Sequence, residues 1–209
     1  VVHGITVQDL ASRTYCVFDL EGTGIDFDRN HITQIGAVRL EAGKIVRTFR
    51  AYVRSPRPIP PSIEAMTGIS NAMIQEAPAF PEAIRAFRAF CEGSVLATQA
   101  GYEYDMPMLE RHCREYGVPG LEQPVLDTKA MFAWLYPECE AVISTDYLLD
   151  YYHLSREGAQ RHDALGDCVL ISRILTQLLA EYKERGIADF RLDNSLTVRR
   201  FAIPGMART

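Results

Sequence analysis

Four apolar residues, Tyr15-Cys16-Val17-Phe18, lead into the alternation Asp19-Leu20-Glu21 and then the turn Gly22-Thr23-Gly24. A short apolar run closed by glycines predicts a buried strand. Residues 31–40 and 45–53 repeat the β pattern, and Glu41-Ala42-Gly43-Lys44 between them predicts a hairpin turn. Ser55-Pro56-Arg57-Pro58-Ile59-Pro60-Pro61 predicts a stiff loop, because proline fixes φ and removes an amide donor. The period then changes. Ile84, Phe87 and Cys91 share one face of a helix over 81–91. A short buried strand follows at 94–98, then a helix over 105–116 that Gly117 ends. A further strand is predicted at 124–126, with helices at 129–135 and 145–152 and a long one over 164–185 that stops at Gly186. Antiparallel strands first, then alternating strands and helices, imply an α/β domain: a mixed sheet covered by helices on both faces. The pattern divides the chain into a weakly patterned lead-in (1–14), a domain (15–186) and a C-terminal extension (187–209).

Composition narrows the class. Of 209 residues, 47% are apolar and 23% charged, ordinary values for a globular protein able to bury a core without disulfides or structural metal. Cys16, Cys91, Cys113, Cys139 and Cys168 are odd in number and lack zinc or redox spacing, so reduced, packed thiols are expected. No apolar run approaches membrane-spanning length and no secretory signal is visible, so a cytoplasmic protein is expected. The net charge of −5 argues against non-specific coating of nucleic acid. It does not exclude a nucleic-acid enzyme, whose bound cations offset acidic residues. Arg199, Arg200 and Arg208 follow Asp193 with no acidic residue among them, a solvated tail or a contact to phosphates or a partner.

The acidic residues carry the candidate chemistry. Asp19 and Glu21, two apart on a strand, project from one face. Side by side at the end of a buried strand they repel unless protonated or bridged by cations, and oxygen donors select Mg²⁺ or Mn²⁺. The alternative is a pair of solvated carboxylates opening a loop. Asp167 shares its helix stripe with Ile171, Ile174 and Leu178, where a carboxylate is costly unless it binds metal or pairs with a buried arginine. His162, five residues earlier, falls in the loop entering that helix, placed to act as a general base near a metal centre. Asp163 reads as the helix N-cap. Asp105, with Pro107 in the first turn, reads as the cap of its own helix, a role compatible with a place at the sheet's functional edge.

FDLEGTG, GYEYD and HDALGD together resemble the three motifs of the DEDDh 3′–5′ exonucleases, which include the proofreading epsilon subunit of bacterial DNA polymerase III. Two softer features agree: Ile59-Pro60 leading to Met66-Thr67-Gly68-Ile69, and Leu126-Asp127-Thr128 before a helix. The resemblance runs from Tyr15 to Lys183. It implies a ribonuclease-H-like fold with a mixed five-stranded sheet flanked by helices. It also implies two Mg²⁺ or Mn²⁺ ions held by Asp19, Glu21, Asp105 and Asp167, with His162 as general base. By the same analogy Asp19 bridges the ions, Glu21 and Asp167 hold the first, and Asp105 assists the second. One departure stands out: the family's His-Asn before the second aspartate is Ala100-Gly101 here, and its Phe is Tyr104.

The resemblance implies stepwise hydrolysis of phosphodiester bonds from a single-stranded or frayed 3′ end, with DNA as the favoured substrate and a polymerase or repair complex as possible partner. RNA trimming is the competing reading, and a catalytically silent nucleic-acid-binding module the reading from another class. Gly22 and Thr23 in the first turn, Met66 after the proline-led loop, and Tyr104 are the candidate contacts to the terminal nucleotide. The length and the lack of a recognisable polymerase region fit a stand-alone enzyme or detachable subunit.

Overall fold

The computed structural model describes residues 4–193. In chain order the strands and helices are β1 (Ile5–Val7), β2 (Tyr15–Gly22), β3 (Ile32–Glu41), β4 (Lys44–Tyr52), α1 (Pro61–Thr67), α2 (Asn71–Gln75), α3 (Phe80–Cys91), β5 (Val95–Thr98), α4 (Asp105–Glu115), β6 (Val125–Asp127), α5 (Thr128–Leu135), α6 (Thr145–Tyr151), α7 (Ala164–Glu184) and β7 (Phe190–Leu192). The five-stranded sheet has the order β4-β3-β2-β5-β6, antiparallel from β4 to β2 and parallel from β2 to β6. This is the mixed sheet that the pattern and the resemblance implied.

Period-two alternation along β2 sorts its side chains between two cores. Tyr15 and Val17 face α5, α6 and α7, in a core with Leu126, Phe132, Leu148, Ile171 and Ile174. Cys16, Phe18 and Leu20 face α3 and α4, among Ile84, Phe87, Met108 and Leu109. Asp19 and Glu21 continue the Tyr15–Val17 row and therefore lie on the α7 side. All five cysteines are free thiols, and four are buried.

Elements that the sequence pattern did not predict are short or long-range. β1 pairs antiparallel with β7, Ile5 opposite Leu192, so the segments before and after the patterned region meet, and Ile5, Val7, Phe190 and Leu192 join the α7-side core. Three-residue strands are too brief to show an alternation, and their partners lie far apart in sequence. α1 and α2 occupy the stretch after the proline loop. Pro61 stands at the first turn of α1 and Gly68, at φ +72°, ends it. Arg199, Arg200 and Arg208 lie outside the described residues.

Candidate active site

β2 outruns its parallel neighbour. Only Tyr15–Val17 pair with β5, while on the other side Asp19 pairs with Gly36 and Glu21 with Gln34 on β3. A cleft of about 390 Å³ opens where β5 has turned away, lined by Asp19, Glu21, Tyr104, Asp105, His162 and Asp167 among others. Such crevices at the carboxyl ends of strands are where α/β folds place their sites.

β3 fixes the start of α7 over this cleft. A Cβ built on Gly36 would lie 2.4 Å from the carbonyl carbon of Ala164, so the absence of a side chain lets the helix touch the sheet. Gln34, fully buried, donates through Nε2 to Asp163 Oδ1 (3.2 Å) and accepts from the Ala164 N–H at Oε1 (2.9 Å). Asp163 caps the helix by accepting from the Gly166 N–H at 3.0 Å, as its position predicted, and it also accepts from Arg50 (2.6 Å). One turn into α7, Asp167 is carried over β2. Carboxylate oxygens of Asp19, Glu21 and Asp167 lie within 4.8 Å of one another.

Asp105 joins them from α4 without being its cap. Tyr104 holds the cap position, and Asp105 is the first helical residue, with its Oδ1 accepting from the Leu20 N–H at 3.0 Å. A buried acceptor facing a free strand amide takes that bond in preference to its own helix end, which a reading of local sequence does not reveal.

Electrostatics show what this packing costs. Burial first, then the charges of Asp105, Asp167 and Glu21, hold the Asp19 carboxyl well above the usual carboxylate range. Burial, followed by Asp167 and Asp105, pushes Glu21 up to about 8. Asp105 is pushed up to about 7, burial outweighing the Leu20 hydrogen bond. Asp167 is raised by burial and opposed by Arg161, whose guanidinium donates to its Oδ1. An arginine partner, the alternative weighed for Asp167, is thus present but only half-buried, and it pairs with Asp167 within the acidic cluster instead of replacing it. Hard oxygen donors, crowded and short of positive charge, fit divalent cations of the Mg²⁺ or Mn²⁺ kind.

His162 sits in the loop before α7, exposed, on a left-handed backbone at φ +61°. Its N–H donates to Asp167 Oδ2 at 3.0 Å, which holds the loop against the cluster. A left-handed conformation in a bulky residue is a strain that the surroundings sustain, and such strain concentrates at functional sites.

The substrate-contact candidates divide. Tyr104 lines the cleft, and its hydroxyl donates to the Gly24 carbonyl at 2.9 Å. It crosses Gly22 so closely that a Cβ there would lie 2.5 Å from the phenol oxygen. Thr23 is buried, its hydroxyl donating to Asn30 Oδ1 (3.1 Å) and accepting from the His31 N–H (3.0 Å). Met66 is exposed on α1, and the cleft lining includes neither Gly22, Thr23 nor Met66. In place of the family's His-Asn, Ala100 has φ +57°, and a Cβ on Gly101 would collide with Thr98 Oγ1, a buried hydroxyl with no hydrogen-bond partner among the described residues. Asparagine would not fit this backbone.

Sequence reasoning missed Arg161, and Lys129 with Glu103, all of which line the cleft. Lys129 is buried and donates to Glu103 Oε1 at 2.8 Å. A cation directly before His162 was the available signal for Arg161; a lysine in an apolar helix carries none.

The exonuclease family's sequence pattern matches residues 16–175. A DNA polymerase III subunit epsilon-like protein of Rhodobacter capsulatus is 36% identical over 180 residues, covering 85% of this chain and 25% of that protein. A PolC-type DNA polymerase III of Caldanaerobacter subterraneus is 29% identical over 186 residues, covering 89% of this chain and 13% of that protein. The chain therefore spans a quarter or less of the length of these relatives. Among solved structures, the nuclease domain of 3'hExo, a DEDDh family member bound to rAMP, superposes with a TM-score of 0.73 at 18% identity, covering 88% of this chain and 98% of that one. Exonuclease X in complex with 5′ overhanging duplex DNA gives 0.65 at 22% identity, with 81% and 93% covered. With the residues of its three motifs gathered in one cleft, the chain belongs to the exonuclease family.

Proposed function

We propose that this chain removes nucleotides one at a time from the 3′ end of single-stranded or frayed DNA, releasing 5′-mononucleotides, with His162 as general base. The observation that carries the proposal is the cleft itself: three carboxylates within 4.8 Å, Asp105 beside them, and His162 on their rim. Asp19, Glu21, Asp105 and Asp167 would hold two Mg²⁺ or Mn²⁺ ions. Cations held there would offset the charge of the phosphodiester and make the attacking water more acidic.

The chain's own residues supply the rest. The carboxylates fix, at the end of β2, where the cations and so the scissile phosphate would lie. The His162 imidazole takes the proton of the attacking water at a ring nitrogen, worth roughly 10²–10⁴-fold. The water oxygen bonds to phosphorus, the bond from phosphorus to the 3′ oxygen breaks, and that oxygen is protonated from solvent. Tyr104 packs over the Gly22–Gly24 turn and shapes the floor on which the terminal nucleotide rests. Duplex ends enter only after fraying, since unpairing costs a few kcal/mol.

DNA is favoured because the two relatives described above are a DNA polymerase III subunit epsilon-like protein and a PolC-type DNA polymerase III. Proofreading or repair alongside a polymerase in the cytoplasm is the matching role, and no described helix is long and apolar enough to cross a membrane. RNA is the second reading, supported by the 3'hExo neighbour, whose structure holds rAMP. Matched DNA and RNA oligonucleotides, labelled separately at each end and digested with Mg²⁺, decide between them. The proposal expects 5′-labelled DNA to shorten in single-nucleotide steps and 3′ label to leave at once as mononucleotide. Nicking of a circular single strand, or first loss of 5′ label, would overturn it.

A further inference from the structure

Charge is unevenly distributed along this chain. Residues 42–63 carry Lys44, Arg47, Arg50, Arg54 and Arg57 with no acidic residue, although the whole chain has a net charge of −5. All five are exposed. They lie on the edge strand β4 and the loop after it. Because β4 is antiparallel to β3, and β3 to β2, β4 ends at the same end of the sheet as the carboxylates. Arg50 pairs with Gly36, which pairs with Asp19, so β4 runs two strand spacings, about 10 Å, from the strand that bears the cluster.

The loop beyond β4 forms a second cavity. Arg54, Ser55, Arg57, Asn71 and Gln75 line a groove of about 410 Å³ whose lining, among the described residues, contains no carboxylate. Its shape is fixed from within. Ser55 Oγ donates to the Arg57 carbonyl (2.6 Å) and accepts from the Arg57 N–H (3.2 Å). Asn71 clasps Ile59 through the Ile59 N–H (2.7 Å) and carbonyl (3.0 Å). Prolines 56, 58 and 60 stiffen the segment. Arg54 and Arg57 make no ion pair among the described residues, whereas Arg50 is committed to Asp163. The chain leaving β4 lies beside the strand that follows the first-motif turn: the Val53 N–H donates to the Thr33 carbonyl at 2.8 Å, and the His31 carbonyl accepts from the Thr23 N–H at 2.9 Å.

We propose that Arg54 and Arg57 form a phosphate-holding groove, a site separate from the carboxylate cleft, that grips the sugar-phosphate backbone of the substrate strand on the 5′ side of the terminal nucleotide. This rests on the exonuclease reading above. A rigid groove with two unpaired guanidinium groups and no anion suits phosphodiesters, which bind largely by charge and without sequence preference. It also resolves a difficulty of the overall charge, because an acidic protein gains hold of a polyanion where its cations are concentrated.

The test is the double variant Arg54→Gln/Arg57→Gln, with Arg85→Gln/Arg88→Gln on α3 as the charge-matched control and Arg54→Lys/Arg57→Lys to restore charge. Binding of a labelled single strand of about 12 nucleotides is followed by fluorescence anisotropy in Ca²⁺ over a range of salt, together with KM and kcat in Mg²⁺. The groove predicts a roughly tenfold rise in KM for the oligonucleotide. It predicts a fall of about 1.4 in the slope of log affinity against log salt, 0.7 for each phosphate of the single strand that is no longer neutralised. Hydrolysis of a p-nitrophenyl ester of a 5′-mononucleotide, too short to reach the groove, stays unchanged. The lysine variant recovers the slope and the control keeps it throughout. If wild type binds and degrades the oligonucleotide while the glutamine variant keeps its KM and slope, the groove is refuted and the exonuclease reading stands. If wild type neither binds nor degrades it, the exonuclease reading itself has failed.

Discussion

Replacing Glu21 by glutamine should stabilise the cation-free protein, and only at high pH. Glu21 is half-buried among carboxylates, and its folded-state pKa is about 8 against a usual 4.5. A carboxyl whose pKa rises on folding contributes stability that is complete below its unfolded value and is lost as pH climbs through the folded one. The window is therefore pH 4.5 to 8. At about 1.4 kcal/mol per pH unit, that interval sets a ceiling of about 5 kcal/mol. The four carboxyls titrate as a set and a proton on one relieves the next, so about 2 kcal/mol is the working figure for one of them. For a domain of this size it corresponds to roughly 4–8 °C in Tm. The whole-protein pH profile alone does not isolate the effect, because burial holds His112 down to about 4, and that group favours the folded state as pH rises. The assay is accordingly the difference in Tm between Glu21→Gln and wild type in EDTA at pH 5 and pH 8. It should be small at pH 5, where the window has only opened, and reach the stated amount at pH 8. Saturating Mn²⁺ should stabilise wild type at pH 8 by about 2.7 kcal/mol at a hundredfold excess over Kd, and the variant much less. A Glu21→Gln protein equal to or less stable than wild type at pH 8 in EDTA would refute the reasoning.

Asp19→Asn and Asp167→Asn should each abolish cleavage with circular dichroism and Tm intact or improved, and near-normal turnover by either purified variant would remove it from the cation centre. His162→Ala should lower kcat by about 10²–10⁴-fold while leaving Mn²⁺ affinity unchanged. Asp163→Ala next to it should mainly lower stability, by about 0.5–2 kcal/mol of lost capping read as a fall in Tm, with little loss of kcat; equal kinetic damage from both would make the loop, not the imidazole, the active element. Gly36→Ala should destabilise by about 1–3 kcal/mol, since its methyl group would meet the backbone of Ala164, and denaturant melts showing no change would contradict the packing of α7 on β3.

Most of the sheet was legible because each strand of the patterned region carries its own apolar run, and the helices were legible because α3, α4 and α7 bury one regular stripe each. β1 and β7 were not, since three residues apiece form a strand only through a partner at the other end of the chain. α1 and α2 are so short that their helical period barely completes, although Pro61 and Gly68 punctuate the first of them. At the site, the spacing of Asp19 and Glu21 and the Asp167 stripe announced which groups would meet. Asp105 was legible as a candidate at the sheet's functional edge but not in its bond to Leu20, because that partner lies 85 residues away. The engagement of Thr23 within its own turn, and of Arg161 with Asp167, depends on side-chain packing that neither periodicity nor motif spacing encodes.

The central claim is that the cluster at the end of β2 is a divalent-cation centre built for phosphodiester hydrolysis. Its most direct test is the number of Mn²⁺ ions bound per chain, read by electron paramagnetic resonance of free Mn²⁺ in the presence of a 5′-mononucleotide. Two saturable ions in wild type, and loss of saturable binding in Asp19→Asn, are the predicted result. Absence of saturable Mn²⁺ in wild type, or binding that Asp19→Asn leaves untouched, would contradict it.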